Sequence, residues 1–122
     1  IAWSQWEAAT SSLSYESSRV DEFSNPHFAL AFALIENHYF INQGFFDDEN
    51  QLMDGIKNIH SIPTVIVQGR YDMVCPIETA WEISKKWPEA SLIIAPFSGH
   101  TAFEKEITHE LIKATNEFGK SP

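Results

Sequence analysis

The sequence predicts an α/β fold, and within that class a piece of a larger parallel sheet. Two short apolar runs, Pro63-Thr-Val-Ile-Val-Gln68 and Ser91-Leu-Ile-Ile-Ala95, have the length and composition of strands buried on both faces of such a sheet. Each is followed by an apolar pattern of helical period, so strand, helix, strand, helix implies a right-handed βαβ crossover. Two strands alone make a poor sheet, whose faces and edges need cover from elsewhere. On that ground the isolated chain is expected to be marginally stable or to self-associate.

In chain order, residues 4–13 are expected to form a short helix carrying Trp6, with Ser4 as its N-cap. Residues 14–25, rich in Ser, Asp and Glu, are expected to be a loop. Residues 26–42 then form a long helix. Asn25 can cap it, Pro26 suits its first turn, and Gly44 lies just past its end. From Phe28 to Ile35 the sequence is apolar all round, which predicts a helix buried on most sides. The acidic turn Asp47-Asp48-Glu49-Asn50 favours the start of a helix through Leu52, Met53 and Ile56. After the first strand, a helix over residues 77–87 places Ala80, Trp81, Ile83 and Trp87 on related faces and stops at Pro88. After the second strand comes the turn Pro96-Phe-Ser-Gly-His100. Residues 103–118 close the chain as an amphipathic helix with Ile107, Leu111, Ala114 and Phe118 near helical spacing.

A chain of 122 residues that is 43% hydrophobic can bury a core, and does so as one domain at most. Eight basic against seventeen acidic residues give a net charge of −9. That balance argues against a nucleic-acid or anionic-membrane partner and suits a cationic substrate group. No apolar run approaches the ~20 residues of a membrane span, and no basic n-region marks a signal peptide. The single cysteine rules out a disulfide framework and fits a reducing, cytoplasmic setting. A first residue of Ile1 rather than Met adds to the expectation of a fragment.

In parallel sheets functional groups gather at the carboxyl ends of the strands. Asp72 follows the first strand and His100 the second, 28 residues apart, or one crossover. Neighbouring loops at one end of a sheet allow an Asp to fix a His tautomer and the His to deprotonate a nucleophile. The same two residues would equally serve as a helix cap and an ordinary loop histidine. Asp then His is also the order of the last two members of an α/β-hydrolase triad, in which the serine comes first. No Gly-x-Ser-x-Gly occurs in this sequence, and Ser98 lies in the same turn as His100. Cys75, just before Pro76 opens a helix, is either a packed filler or a thiol activated by the helix terminus. The five histidines show no metal-ligand spacing. Glu36 lies on an apolar stripe with Ala29, Phe32, Ala33 and Phe40. Such a carboxylate needs a cation or donors, supplied by Arg19, a backbone amide or a ligand.

The strings Ala33-Leu-Ile-Glu-Asn-His-Tyr-Phe40, Ile62-Pro-Thr-Val-Ile-Val-Gln-Gly-Arg-Tyr-Asp-Met-Val-Cys-Pro76, Ala80-Trp81, Trp87-Pro-Glu-Ala90 and Ser98-Gly-His100 resemble the proline iminopeptidase (prolyl aminopeptidase) family of α/β-hydrolase serine peptidases. The resemblance runs from about Trp3 to Phe118 and covers that family's C-terminal portion. It implies the end of a helical cap over residues 1–50, then the last two parallel strands of the core with their flanking helices over 51–122. It further implies that Asp72 and His100 are the triad aspartate and histidine. Glu36 and Glu7 would bind the amine of an N-terminal proline, and Cys75 would line the pocket. The partners implied are peptides with a free N-terminal proline and the N-terminal part of the hydrolase core, with no metal or organic cofactor. Without the nucleophile the chain alone is expected to be inactive. A non-catalytic interaction module from a truncated hydrolase, and an esterase-type hydrolase, are the competing expectations.

Overall fold

The computed structural model describes residues 1–120; Ser121 and Pro122, the end of the expected core portion, lie outside the described residues. Six α-helices and two strands follow in order. They are α1 (Ala2–Thr10), α2 (Ser17–Phe23), α3 (Pro26–Ile41), α4 (Gln51–Gly55), β1 (Thr64–Gly69), α5 (Ile77–Lys86), β2 (Ala90–Ala95) and α6 (Lys105–Phe118). The strands pair in parallel, in register from Thr64 opposite Ala90 to Gly69 opposite Ala95. Helix α5 makes the crossover, and α5 and α6 each pack on both strands. Ala80, Ala95, Ile107 and Ala114 are the buried centre of this half.

The other half is helical. Helix α1 packs on α2 and α3, and Phe23, Phe28 and Phe32 form an aromatic cluster with ring centroids 4.7–5.8 Å apart. The Asn25 side chain caps α3, accepting from the amides of His27 (3.0 Å) and Phe28 (3.2 Å), and Pro26 fills the first turn. Past its end the chain reverses through Gln43, Gly44 and Phe45, all at positive φ, with Gly44 the residue best suited to it.

Four expectations need correction. Residues 17–23 form a helix, not a loop. Seven residues show too little periodicity to be read as one, and docking holds it in place. The Ser4 hydroxyl donates to the Phe23 carbonyl at 2.9 Å and Gln5 Nε2 to Ser24 Oγ at 2.8 Å. Ser4 is therefore a fully buried docking residue inside α1, not its N-cap. Helix α3 is not buried on most sides: Leu30, Leu34 and Ile35 are 63%, 60% and 61% exposed, and Ala29 is its one buried residue. Finally, β1 is only half-buried up to Gln68, not fully buried on both faces. An all-round apolar helix is built for packing on many sides, and among the described residues much of α3 stays exposed; β1 carries both α5 and α6, yet none of its residues before Gly69 is fully buried.

Candidate functional site

Because β1 and β2 end in register at Gly69 and Ala95, the loops that follow leave the sheet side by side. The backbone pairing continues into them, with the Arg70 amide donating to the Ala95 carbonyl and the Tyr71 amide to the Ser98 carbonyl, both at 2.9 Å. A Cβ on Gly69 would lie 1.8 Å from the Gly99 carbonyl oxygen, so this contact admits only glycine. The close approach brings Asp72 against His100.

Asp72 has a side chain only 6% exposed, and both its oxygens are committed. Oδ1 accepts from the amides of Val74 (3.0 Å) and Cys75 (2.8 Å). Oδ2 accepts from Gln68 Nε2 at 3.1 Å and meets His100 Nδ1 at 3.0 Å. A carboxylate receiving four contacts acts as an acceptor only, so Nδ1 carries the proton and Nε2 is left with its lone pair. The His100 ring is 39% exposed, open enough to be reached by a reacting group.

Two acids of the helical half, Glu7 and Glu36, lie on packed helices α1 and α3. Trp3 Nε1 donates to Glu36 Oε2 at 2.6 Å, binding α1 to α3. Glu7 lies one turn after Trp3, and burial first, then the Glu36 charge, raise its carboxyl above the usual value; His100 pulls it the other way. The Glu7 carboxylate is thus within range of the charges of both Glu36 and His100. Neither acid has a Lys or Arg within ion-pair distance among the described residues. Arg19 instead stacks over the rings of Phe23 (5.3 Å) and Phe103 (5.7 Å). An open groove of about 330 Å³ lined by Trp3, Ala33, Glu36, Asn37 and Phe40 adjoins the acids. A larger one, about 400 Å³, touches His60 and Pro88 at the amino ends of the strands, away from this chemistry.

Cys75 is exposed beside Asp72, and burial of its sulfur together with the Asp72 charge raises the thiol. Of the two readings of Cys75, neither the packed filler nor the activated thiol matches: the residue is exposed, and desolvation and then the Asp72 carboxylate raise the thiol ahead of a helix that starts only at Ile77. Ser98 is buried with its hydroxyl toward Glu106 Oε2 (3.3 Å), not toward His100. Among the described residues no group of three or more His, Cys, Asp or Glu is placed to hold a metal. No helix there is long and apolar enough to cross a membrane.

Two residues of this site escaped the sequence reading. Gln68 Nε2 bridges Asp72 to the Cys75 carbonyl at 3.1 Å. Glu104 accepts from the amides of Leu13 and Gly99. A polar side chain inside a β-branched strand, one residue from its carboxyl end, was the available signal for Gln68. For Glu104 there was none.

Parallel strands with a hydrogen-bonded Asp–His pair on their consecutive carboxyl-end loops define an α/β hydrolase. The chain belongs to that family: the α/β-hydrolase model described as "TAP-like protein" matches residues 47–114. A solved serine hydrolase involved in carbazole degradation, the CarC enzyme, shares the fold with a TM-score of 0.61 at 23% identity, over 86% of this chain and 40% of its own. The chain is homologous to proline iminopeptidases and is a fragment of that kind of hydrolase. It is 55% identical to the Xylella fastidiosa enzyme and 54% to that of Xanthomonas citri, over 96% of this chain and 37% of theirs. With the Arabidopsis thaliana enzyme the identity is 46%, over 95% of this chain and 30% of that one. The chain thus spans about a third of the length of these relatives.

Proposed function

We propose that the intact hydrolase carrying this chain is a serine exopeptidase that releases N-terminal proline from peptides. Asp72 holds His100 in the Nδ1-protonated form. His100 Nε2 takes the proton of a serine hydroxyl supplied by the rest of the enzyme as that oxygen attacks the prolyl carbonyl. The same nitrogen then gives the proton to the departing peptide amine, leaving a prolyl-serine ester. Water attacks the ester, His100 again takes and returns a proton, and free proline leaves. Glu36 and Glu7 hold the proline's secondary ammonium, and Cys75 lines the pocket beside it.

The observation that supports this reading is Glu7, a carboxylate that feels both the Glu36 charge and His100, with neither acid paired to a Lys or Arg among the described residues. An ammonium between Glu7 and Glu36 relieves the repulsion that raises Glu7, whereas a blocked N-terminus leaves it in place. An amine held by Glu7 and Glu36 and a scissile bond at His100 then belong to the same terminal residue. Glu36→Gln in the intact enzyme keeps the side chain's size and removes its charge. Turnover of a prolyl amide is expected to fall by about 2–5 kcal/mol in transition-state binding, roughly 30-fold to several thousand-fold in kcat/KM. A simple ester without an amine keeps nearly its full rate. An equal, modest loss on both substrates supports the esterase alternative and ends the amine assignment.

A further inference from the structure

We propose that Glu104 is a positioning residue that clamps the exit of α1 to the His100 loop. The helix carrying Glu7 and the loop carrying the general base are then held as one body. The inference deepens the proposed function and rests on it for the roles of the two ends. Past Ser98 the His100 loop has left the sheet, and its next three amides have no strand to pair with. All three are taken. The Gly99 amide donates to Glu104 Oε2, and those of His100 (2.9 Å) and Thr101 (2.8 Å) both donate to the Ser11 carbonyl. The other Glu104 oxygen accepts from the Leu13 amide at 2.8 Å, across 91 residues of sequence. Ser11 in turn donates its own amide to the Glu7 carbonyl at 3.1 Å. A continuous run of hydrogen bonds therefore leads from the backbone of Glu7 to that of His100. The stack of Arg19 on Phe103 ties α2 to the same loop.

The clamp needs a carboxylate. Two converging N–H donors are matched by the two acceptor oxygens of Glu, whereas Gln turns an NH2 toward one of them and replaces a bond with donor–donor repulsion. An exopeptidase must fix the distance between the amine site and the base, because that distance decides which bond is cut.

The test is Glu104→Gln in the intact hydrolase, read in two ways. Backbone amide exchange is expected to accelerate at Leu13, Gly99, His100 and Thr101 while the amides of Val65–Val67 keep their protection. The kcat for the prolyl amide and for a simple ester should both drop by about tenfold to a hundredfold, with the ester KM unchanged. Unchanged exchange at Gly99 and Leu13, or an unchanged ester kcat, overturns the clamp. So does exchange that rises equally in the strands, which would mean a general loss of stability. An enzyme that cleaves the ester but not the prolyl amide even before mutation overturns the amine reading alone, since the ester and exchange measurements still decide the clamp.

Discussion

The Asp72–His100 loops and helix α3 are opposite kinds of structure within one short chain. In the loops the polar groups at the Asp72–His100 contact have partners, although apolar side chains such as Met73 and Phe97 stand in the open. Asp72 receives four contacts, Gly69 admits no side chain, and Ser98 is 1% exposed. Helix α3, by contrast, leaves large apolar side chains in the open, with Phe40 and Ile41 at 64% and 70% exposure. A catalytic pair can be positioned by local hydrogen bonds and one close backbone contact. A helix that is apolar all round is completed only by packing partners on its other sides. Geometry at the Asp72–His100 contact is thus locally determined, whereas nothing among the described residues covers the open side of α3.

The sharpest way to break that comparison is to ask the chain to work alone. Loss of a triad nucleophile costs on the order of 10⁶ in kcat. The purified 122-residue chain should therefore show no measurable hydrolysis of a prolyl chromogenic substrate. Turnover that survives removal of contaminating peptidases would mean that a nucleophile within the chain reaches His100, and the serine-triad account would fall.

The next effect separates the two regions by stability. Gly69→Ala drives a Cβ into the Gly99 carbonyl at 1.8 Å and should cost about 3 kcal/mol, measured by urea unfolding of the chain. Leu30→Gln, on the exposed face of α3, should change stability by no more than about 0.5 kcal/mol and reduce self-association in sedimentation. If both substitutions cost the same, the two regions do not differ in the way their exposure implies.

This contrast also explains what could be read from the sequence. Asp72 and His100 were legible as candidates because each follows a short apolar strand, and consecutive parallel strands bring their carboxyl ends together. The elements around them were legible for the same reason, with β1, β2, α5 and α6 ending within a residue or two of their expected limits. Helix α2 was not, since its seven residues are held by Ser4 and by rings from other helices, not by a pattern of their own. The exposure of α3 could not be foreseen, because an apolar sequence reports what a helix is built to contact and not whether the partner is present. Glu104 was invisible because its function is a bond to Leu13, and only the fold makes them neighbours.

The smallest effect tests the cap acids without any substrate. Glu7 has a raised carboxyl in the folded chain, through burial and through Glu36, so folding favours its protonated form. The stability this contributes is fully present below the ordinary value of 4.5 and is lost as pH rises through the raised folded value. At neutral pH the ionised Glu7 is thus a small liability to the fold. Glu7→Gln removes that charge, so the variant should melt slightly higher than the wild type at pH 7. The gain is limited to a few degrees because the side chain is partly exposed and screened. The difference should shrink on acidification and vanish below about pH 4, where the wild-type carboxyl is itself protonated. In the intact enzyme the same substitution should lower prolyl-amide turnover, and combined with Glu36→Gln it should cost less than the sum of the two if both acids share one cation. A residue whose removal helps the fold and harms one class of substrate is kept for binding, as expected of a functional site that trades stability for activity. If Glu7→Gln instead lowers the melting point at every pH, Glu7 is a packing residue, and the amine is held by Glu36 alone.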